Sequence, residues 1–247
     1  MDKIHVYSPC YNEEKMLPYY LRHYETIADK IFIYDNESTD QSAAIIEKHP
    51  KAVLKHLPYQ KNLPLNRILD KVRNHKWKKS REQTEWVIVC DLDEFLVRPK
   101  LHCFLDKCAE QGTTILRAKG FNMYSEEFPQ TTGQIYHVVN QGVASVWYDK
   151  KAIFNPNKVT TMQFGLGCHH ARPKGDVKIG RDRLLNLLHF RYLGVEYTKE
   201  RVQIGGSRRK LDRAQGMSRH FILSKALKMV KPPNKTKRPP CLEMRLM

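Results

Sequence analysis

Residues 86–96, "WVIVCDLDEFL", set the apolar run Trp86 to Cys90 directly against three carboxylates, Asp91, Asp93 and Glu94. A short run rich in β-branched residues and bounded by charge reads as a buried strand. The carboxylates then sit at its carboxyl end, where open α/β sheets hold their ligands. The flanking sequence repeats the theme. "KIHVYSPC" (3–10) is a strand entering the loop "YNEE", residues 14–28 carry apolar side chains at near-helical spacing, and "DKIFIYDNESTD" (29–40) is a second strand broken by a polar turn. "QSAAIIEKHP" reads as a short helix closed by Pro50, and "KAVLKHLPY" as a third extended piece leading to Gln60. A helix over about 64–82, with Leu65, Ile68, Leu69 and Val72, delivers the chain to Trp86. Strand and helix in alternation predict an α/β fold, a mostly parallel Rossmann-like central sheet flanked by helices.

The second half is less regular. "GTTILRAKGFNMY" and "QGVASVWYDKKAIF" are expected as strands, "DRLLNLLHFRYLG" mixes helix and strand signals, and 196–230 is expected to be helical. From "KPPNKTKRPP" onward proline and lysine replace apolar periodicity, which predicts a flexible or surface-wrapped tail. The expected division is one domain over 1–225, with a nucleotide-binding half (1–100) and an acceptor half (101–225), followed by a basic tail over 226–247.

The 247 residues carry a net charge of +17, much of it after residue 172, so an anionic partner is expected: a phosphorylated substrate, a membrane surface or nucleic acid. No window approaches the ~20 apolar residues of a membrane span, and "MDKIHVYSPCYNEE" has no apolar signal core. Six scattered cysteines without a CxxC pair argue for a reduced compartment and against structural zinc or a disulfide framework. The expected location is cytoplasmic, with peripheral contact to an anionic membrane through the basic C-terminal region.

Two aspartates at i and i+2 face the same way if the chain stays extended. Mg²⁺ or Mn²⁺ suits carboxylate oxygen together with phosphate and water, so Asp91 and Asp93 fit a cation bound mainly through a nucleoside diphosphate. The bland reading is a solvated turn after a buried strand, just as Asp35-Asn36-Glu37-Ser38 also reads as an Asx-type turn.

The chain resembles the family-two-like glycosyltransferases of the GT-A fold, in the branch with a "DxDEF" signature. The resemblance is carried by "SPCYNEEKMLPYYLRHY", "IFIYDNESTD", Gln60 and "WVIVCDLDEFL", in the family's order over residues 3–97, with a weaker echo in "LLHFRYLG". It implies a nucleotide-sugar donor, most readily a uridine diphosphate sugar, lying over the N-terminal half of the sheet. Pro9, Tyr11 and Glu13 would line the base and ribose pocket, Asp35 would reach base or ribose, and Gln60 would join the donor-binding set. Asp91 would contact ribose and metal, Asp93 and His189 would hold the Mn²⁺ or Mg²⁺, and Glu94 would turn inward to hold a neighbouring loop. Where the family follows its late His-aromatic pair with Lys-Ser and an acidic stretch, Leu193-Gly194 stand here, which leaves diphosphate contacts near Arg191 or Lys199 open.

An inverting transfer to a glycan, a lipid-linked or another hydroxyl acceptor needs a general base. The candidates are Glu126, Glu127, Asp149, Asp182, His169 and His170, with Glu127 and His170 preferred. Two other classes share parts of the pattern. A metal-dependent nucleotidyl- or phosphoryltransferase would use the same aspartates, but there is no GxxxxGK[ST] loop. A non-enzymatic, basic nucleic-acid-binding protein would account for the charge, but not for its concentration away from the Asp-x-Asp half.

Overall fold

The computed structural model describes residues 3–215 and 236–243. In chain order it forms β1 (Ile4–Cys10), α1 (Leu17–Tyr24), β2 (Lys30–Asp35), α2 (Ser42–Glu47), β3 (Ala52–His56), α3 (Leu65–His75), β4 (Trp86–Val89), β5 (Glu94–Val97) and α4 (Leu101–Glu110). There follow β6 (Ile115–Ser125), α5 (Ile135–Val138), β7 (Gly142–Ala144), β8 (Ile153–Phe154), β9 (Val159–Thr161), β10 (Lys174–Gly175), β11 (Ile179–Leu193), α6 (Val195–Arg208), α7 (Lys210–Ala214) and α8 (Pro240–Glu243).

The central sheet runs β3-β2-β1-β4-β8-β6-β11-β5, with β7 on β6 and with β9 and β10 forming a separate ribbon. β3, β2, β1 and β4 pair in parallel, as do β6 and β11, whereas β8 and β5 pair antiparallel to their neighbours. This is the mostly parallel, helix-flanked α/β sheet that the strand-helix alternation predicts. β1 and β4 are buried along their whole length, which is why they read as continuous apolar runs rather than alternating ones. Ile4, Val6, Trp86 and Ile88 face one core with α1, while Tyr7, Val87 and Val89 face a second core with Ile68, Val72 and Trp77. Period-two alternation thus fills two layers at once.

Several elements differ from their sequence signals. The expected helix over 64–82 stops at His75 and continues as a 3-10 turn over Lys76–Ser80. "QGVASVWYDKKAIF" is not one strand but β7, a 3-10 turn at Val146–Tyr148, and β8. Gly120 Cα lies so close to this turn that a Cβ there would fall 2.3 Å from Tyr148 Cβ. The mixed segment "DRLLNLLHFRYLG" is all strand, part of the 15-residue β11. The expected helix over 196–230 is seen as α6 and α7, and its end lies outside the described residues. Of the expected tail, residues 236–243 pack on the domain: Lys237 pairs with Gly142 through two backbone hydrogen bonds, and Cys241 and Leu242 join the core. All six cysteines are free thiols, and no described helix is long and apolar enough to cross a membrane.

His23 sits in the α1 core, 3% exposed, with Nε2 3.0 Å from the Leu96 carbonyl. Burial lowers its pKa to about 4. The native state therefore keeps it neutral while the unfolded chain takes up a proton below about 6.5. Its contribution to stability is present above pH 6.5 and is lost as pH falls towards 4. Urea unfolding midpoints between pH 7 and pH 4.5 should fall more steeply for the wild-type chain than for His23→Phe.

Candidate active site

The loops that leave β1, β2 and β3 interlock at their carboxyl ends. Asn36 N–H donates to the Cys10 carbonyl at 2.8 Å, the Asn36 amide to the Leu57 carbonyl at 2.8 Å, and Glu13 N–H to Ser42 Oγ at 2.8 Å. Pro9 is buried on β1, Tyr11 is half-buried, and Gln60 is exposed. Asp35 accepts from Ser38 N–H at 3.1 Å and from Ser38 Oγ at 2.5 Å. The Asx-type turn is thus real, and it spends the carboxylate locally. Glu13 is paired with Arg201 of α6, which also donates to the Asn12 carbonyl at 2.7 Å. Burial pushes the Glu13 carboxyl up to about 8 against that guanidinium.

Asp91 and Asp93 lie in the turn between β4 and β5, closed by Glu94 N–H donating to the Asp91 carbonyl at 3.0 Å. The chain is not extended here, and the two carboxylates diverge. Asp91 Oδ1 takes a 2.7 Å bond from Arg73 of α3, whereas Asp93 Oδ2 lies 3.4 Å from His189 Nε2 and 3.9 Å from Arg191 Nη1. Burial opposes ionisation of both, but Arg73 and Lys150 for Asp91, and His189 and Arg191 for Asp93, outweigh it and hold both carboxyls below their usual range.

Strand register brings the distant partner. β5 pairs His189 with Glu94, and β6 pairs His189 with Asn122, so the three residues form one row across three strands. Phe190 N–H donating to the Asp93 carbonyl at 2.7 Å ties the turn to that row. His189 is 4% exposed, stacks on Tyr148 at 4.2 Å between centroids, and has Nδ1 2.9 Å from Asn122 Oδ1. With Nδ1 engaged by Asn122, Nε2 is the ring nitrogen that faces Asp93, the position from which an imidazole held by a second partner ligates a metal.

Ligand atoms of Asp93, Glu94 and His189 all lie within 4.8 Å of one another. Two carboxylates and an imidazole fit a divalent cation such as Mn²⁺. Glu94, however, is 1% exposed and ion-paired with the equally buried Lys150, which also donates to the Gly167 carbonyl at 2.5 Å. Burial favours the neutral amine, yet Glu94 and Asp91 hold the Lys150 pKa above its ordinary value. Glu94 therefore reaches the loop at 165–170 through Lys150.

Of the remaining candidates His169 comes nearest to this cluster, its ring 5.2 Å from that of Tyr148, which stacks on His189. Glu126 and Glu127 are exposed at the exit of β6. His169 and His170 flank Trp147, at 4.7 and 5.5 Å between ring centroids, on the loop that Lys150 holds. Asp149 accepts from Gly120 N–H at 2.9 Å and lies 3.5 Å from Arg117, and Asp182 accepts from Leu184 N–H at 2.8 Å and lies 3.6 Å from Arg98, which commits both to structural partners. Sequence reasoning missed Arg73, Lys150, Tyr148 and Arg201. Arg73 had a signal: it continues the Leu65, Leu69 spacing of an apolar helix face, where a charge needs a buried partner.

The chain belongs to Glycosyl transferase family 2, whose profile matches residues 6–169. It is similar to the crystal structure of S. aureus TarS 1-349, with 12% identity over 92% of this chain and 69% of that one, at a TM-score of 0.48. Structures of TarS 1-349 with UDP and with UDP-GlcNAc match at 17% and 19% identity and TM-scores of 0.40 and 0.39. In both, the match covers 62% of this chain, which spans about half of that one, 47% and 45%. None of the curated proteins matches the chain.

Asp91→Asn leaves Arg73 buried without its partner, and Nε and Nη1 of that guanidinium already lack hydrogen bonds. A loss of about 1–3 kcal/mol in urea unfolding is expected, below the full buried-pair figure because Asp91 is partly exposed. Gly120→Ala, whose methyl would collide with Tyr148, should cost about 1–3 kcal/mol in the same measurement.

Proposed function

We propose that this chain transfers a sugar from a nucleoside diphosphate sugar, with a uridine diphosphate sugar as donor, to the hydroxyl of a glycan, lipid-linked or other acceptor, with inversion at the anomeric carbon. The observation that carries the reading is the convergence of Asp93, in the turn before β5, with His189 of β11, 3.4 Å apart, in a chain of glycosyl transferase family 2. Residues 1–100 serve the nucleotide, residues 101–225 the acceptor, and the basic stretch 226–247 an anionic membrane surface met from the cytoplasm.

Asp93 and His189, with Asp91 beside them in the turn, would hold Mn²⁺ or Mg²⁺. Such an ion supplies Lewis-acid neutralisation of the leaving diphosphate. The chain's own groups do the rest. Pro9, Tyr11, Glu13, Asp35 and Gln60 surround the nucleoside end. Arg191, 3.9 Å from Asp93, lies beside the place where the leaving phosphate gains charge. The acceptor hydroxyl gives its proton to Glu127 or His170 as it attacks the anomeric carbon. Both are exposed, as a group that meets an incoming acceptor must be.

Purified protein with Mn²⁺ and a panel of nucleotide sugars should release nucleoside diphosphate from one donor. Asp93→Ala should lower that rate at least about 100-fold, in the range set by losing one preorganised electrostatic group. Release that is equal in Asp93→Ala, or absent with every donor, would sink this reading.

A further inference from the structure

Arg208, at the end of α6, lies between two tyrosines. Its guanidinium carbon is 3.6 Å from the Tyr11 ring centroid and 4.3 Å from that of Tyr59. In the plane of the slot, Nη1 donates to the Asn36 carbonyl at 2.5 Å and to Asn36 Oδ1 at 2.8 Å, and Nη2 to the Glu37 carbonyl at 3.3 Å. A flat, N–H-bearing group stacked between aromatic faces and read by carbonyl oxygens at its edge is also the description of a bound nucleobase. The slot lies at the carboxyl ends of β1 and β2, where this fold receives a nucleotide.

Building on the donor reading above, we propose that the slot between Tyr11 and Tyr59 is the nucleobase subsite, and that Arg208 fills it when no donor is bound. α6 is then a self-inhibiting strap that the donor displaces. The strap is fastened on both sides of Arg208: Lys15 pairs with Glu200, Arg201 with Glu13, and Asp212 of α7 accepts from Leu65 and Asn66 N–H at 3.0 and 2.9 Å. Beneath it the space among Asn12, Glu13, Asp40, Tyr197 and Arg201 is about 130 Å³, below the ~300 Å³ at which small-molecule pockets usually begin.

The helix also carries its own weak point. Gly205 and Gly206 lie in the last turn of α6, just before Arg208, and a Cβ at Gly206 would meet nothing within 4 Å, while one at Gly205 would only reach Arg209 Nε at 4.0 Å. Packing does not demand glycine at either position. Glycine holds a helical turn less firmly than alanine, which lets the segment bearing Arg208 swing while Arg201 remains on Glu13. Nucleotide affinity is then reduced by the fraction of chains whose slot is open.

The test is calorimetric titration of the full chain with UDP, GDP and CDP in the presence of Mn²⁺, for wild type, Arg208→Ala and Arg208→Ala/Tyr59→Ala, each checked for an unchanged circular dichroism spectrum. Arg208→Ala should bind its preferred nucleotide at least about fivefold more tightly than wild type, and the added Tyr59→Ala should abolish the gain. Equal or weaker binding by Arg208→Ala overturns the strap and leaves the donor reading standing. A gain that survives Tyr59→Ala overturns the slot assignment. No binding by either wild type or Arg208→Ala overturns both the strap and the donor reading, since an emptied slot must accept the base.

Discussion

Everything around the site leans on a single buried ion pair. Lys150 and Glu94 are both about 1% exposed, and neither can be removed alone without leaving an uncompensated charge in the core. Glu94 is the first residue of β5 and stands in register with His189, so the pair anchors the strand that delivers the histidine. Lys150 in turn holds the Gly167 carbonyl, and with it the loop bearing His169 and His170. A hydrophobic isostere could pack as well, but it could not fix a carboxylate row and a loop carbonyl with one group.

The charges above that anchor are arranged in matched layers. Asp91 faces Arg73, and Asp93 faces His189 and Arg191. Each carboxylate is thereby held near strand ends without a free anion in the low-dielectric interior, where an unpaired one would be expensive. The same pairing explains why the two aspartates diverge. A turn at 91–93 lets each reach a cation from a different part of the chain, α3 for one and β11 for the other.

The parts legible in sequence were those governed by local pattern. β1, β2 and β4 announce themselves as apolar runs ended by polar loops, and their parallel pairing follows from the intervening helices. Asp91 and Asp93 stood out only because "SPCYNEE", "IFIYDNESTD" and "DLDEFL" follow one another in the order of a known family; alone, an Asp-x-Asp after a buried strand reads as a solvated turn. What could not be read were facts of register: nothing between residues 94 and 189 signals that Glu94, His189 and Asn122 share a row. β11 was obscured because its interior residues, Leu185 to Phe190, are buried on both faces and lose the alternation that marks a half-exposed strand. The Val146–Tyr148 turn was misread as strand because β-branched and aromatic residues raise strand propensity, whereas here Gly120 admits the chain too closely for a ladder to continue.

β8 is only two residues long, and it joins β4 to β6 with help from its flanks: Val89 N–H donates to the Ala152 carbonyl and Ala118 N–H to the Lys150 carbonyl, both at 2.9 Å. The backbone link between the same two regions is the turn from Val89 to Glu94. The sheet is continuous but narrows between β4 and β6, and the aspartates sit on the chain segment that spans the narrowing. The short bridge at β8 thus lies beside the turn that carries Asp91 and Asp93, and the same few residues hold both the sheet's middle and the height of its acidic turn.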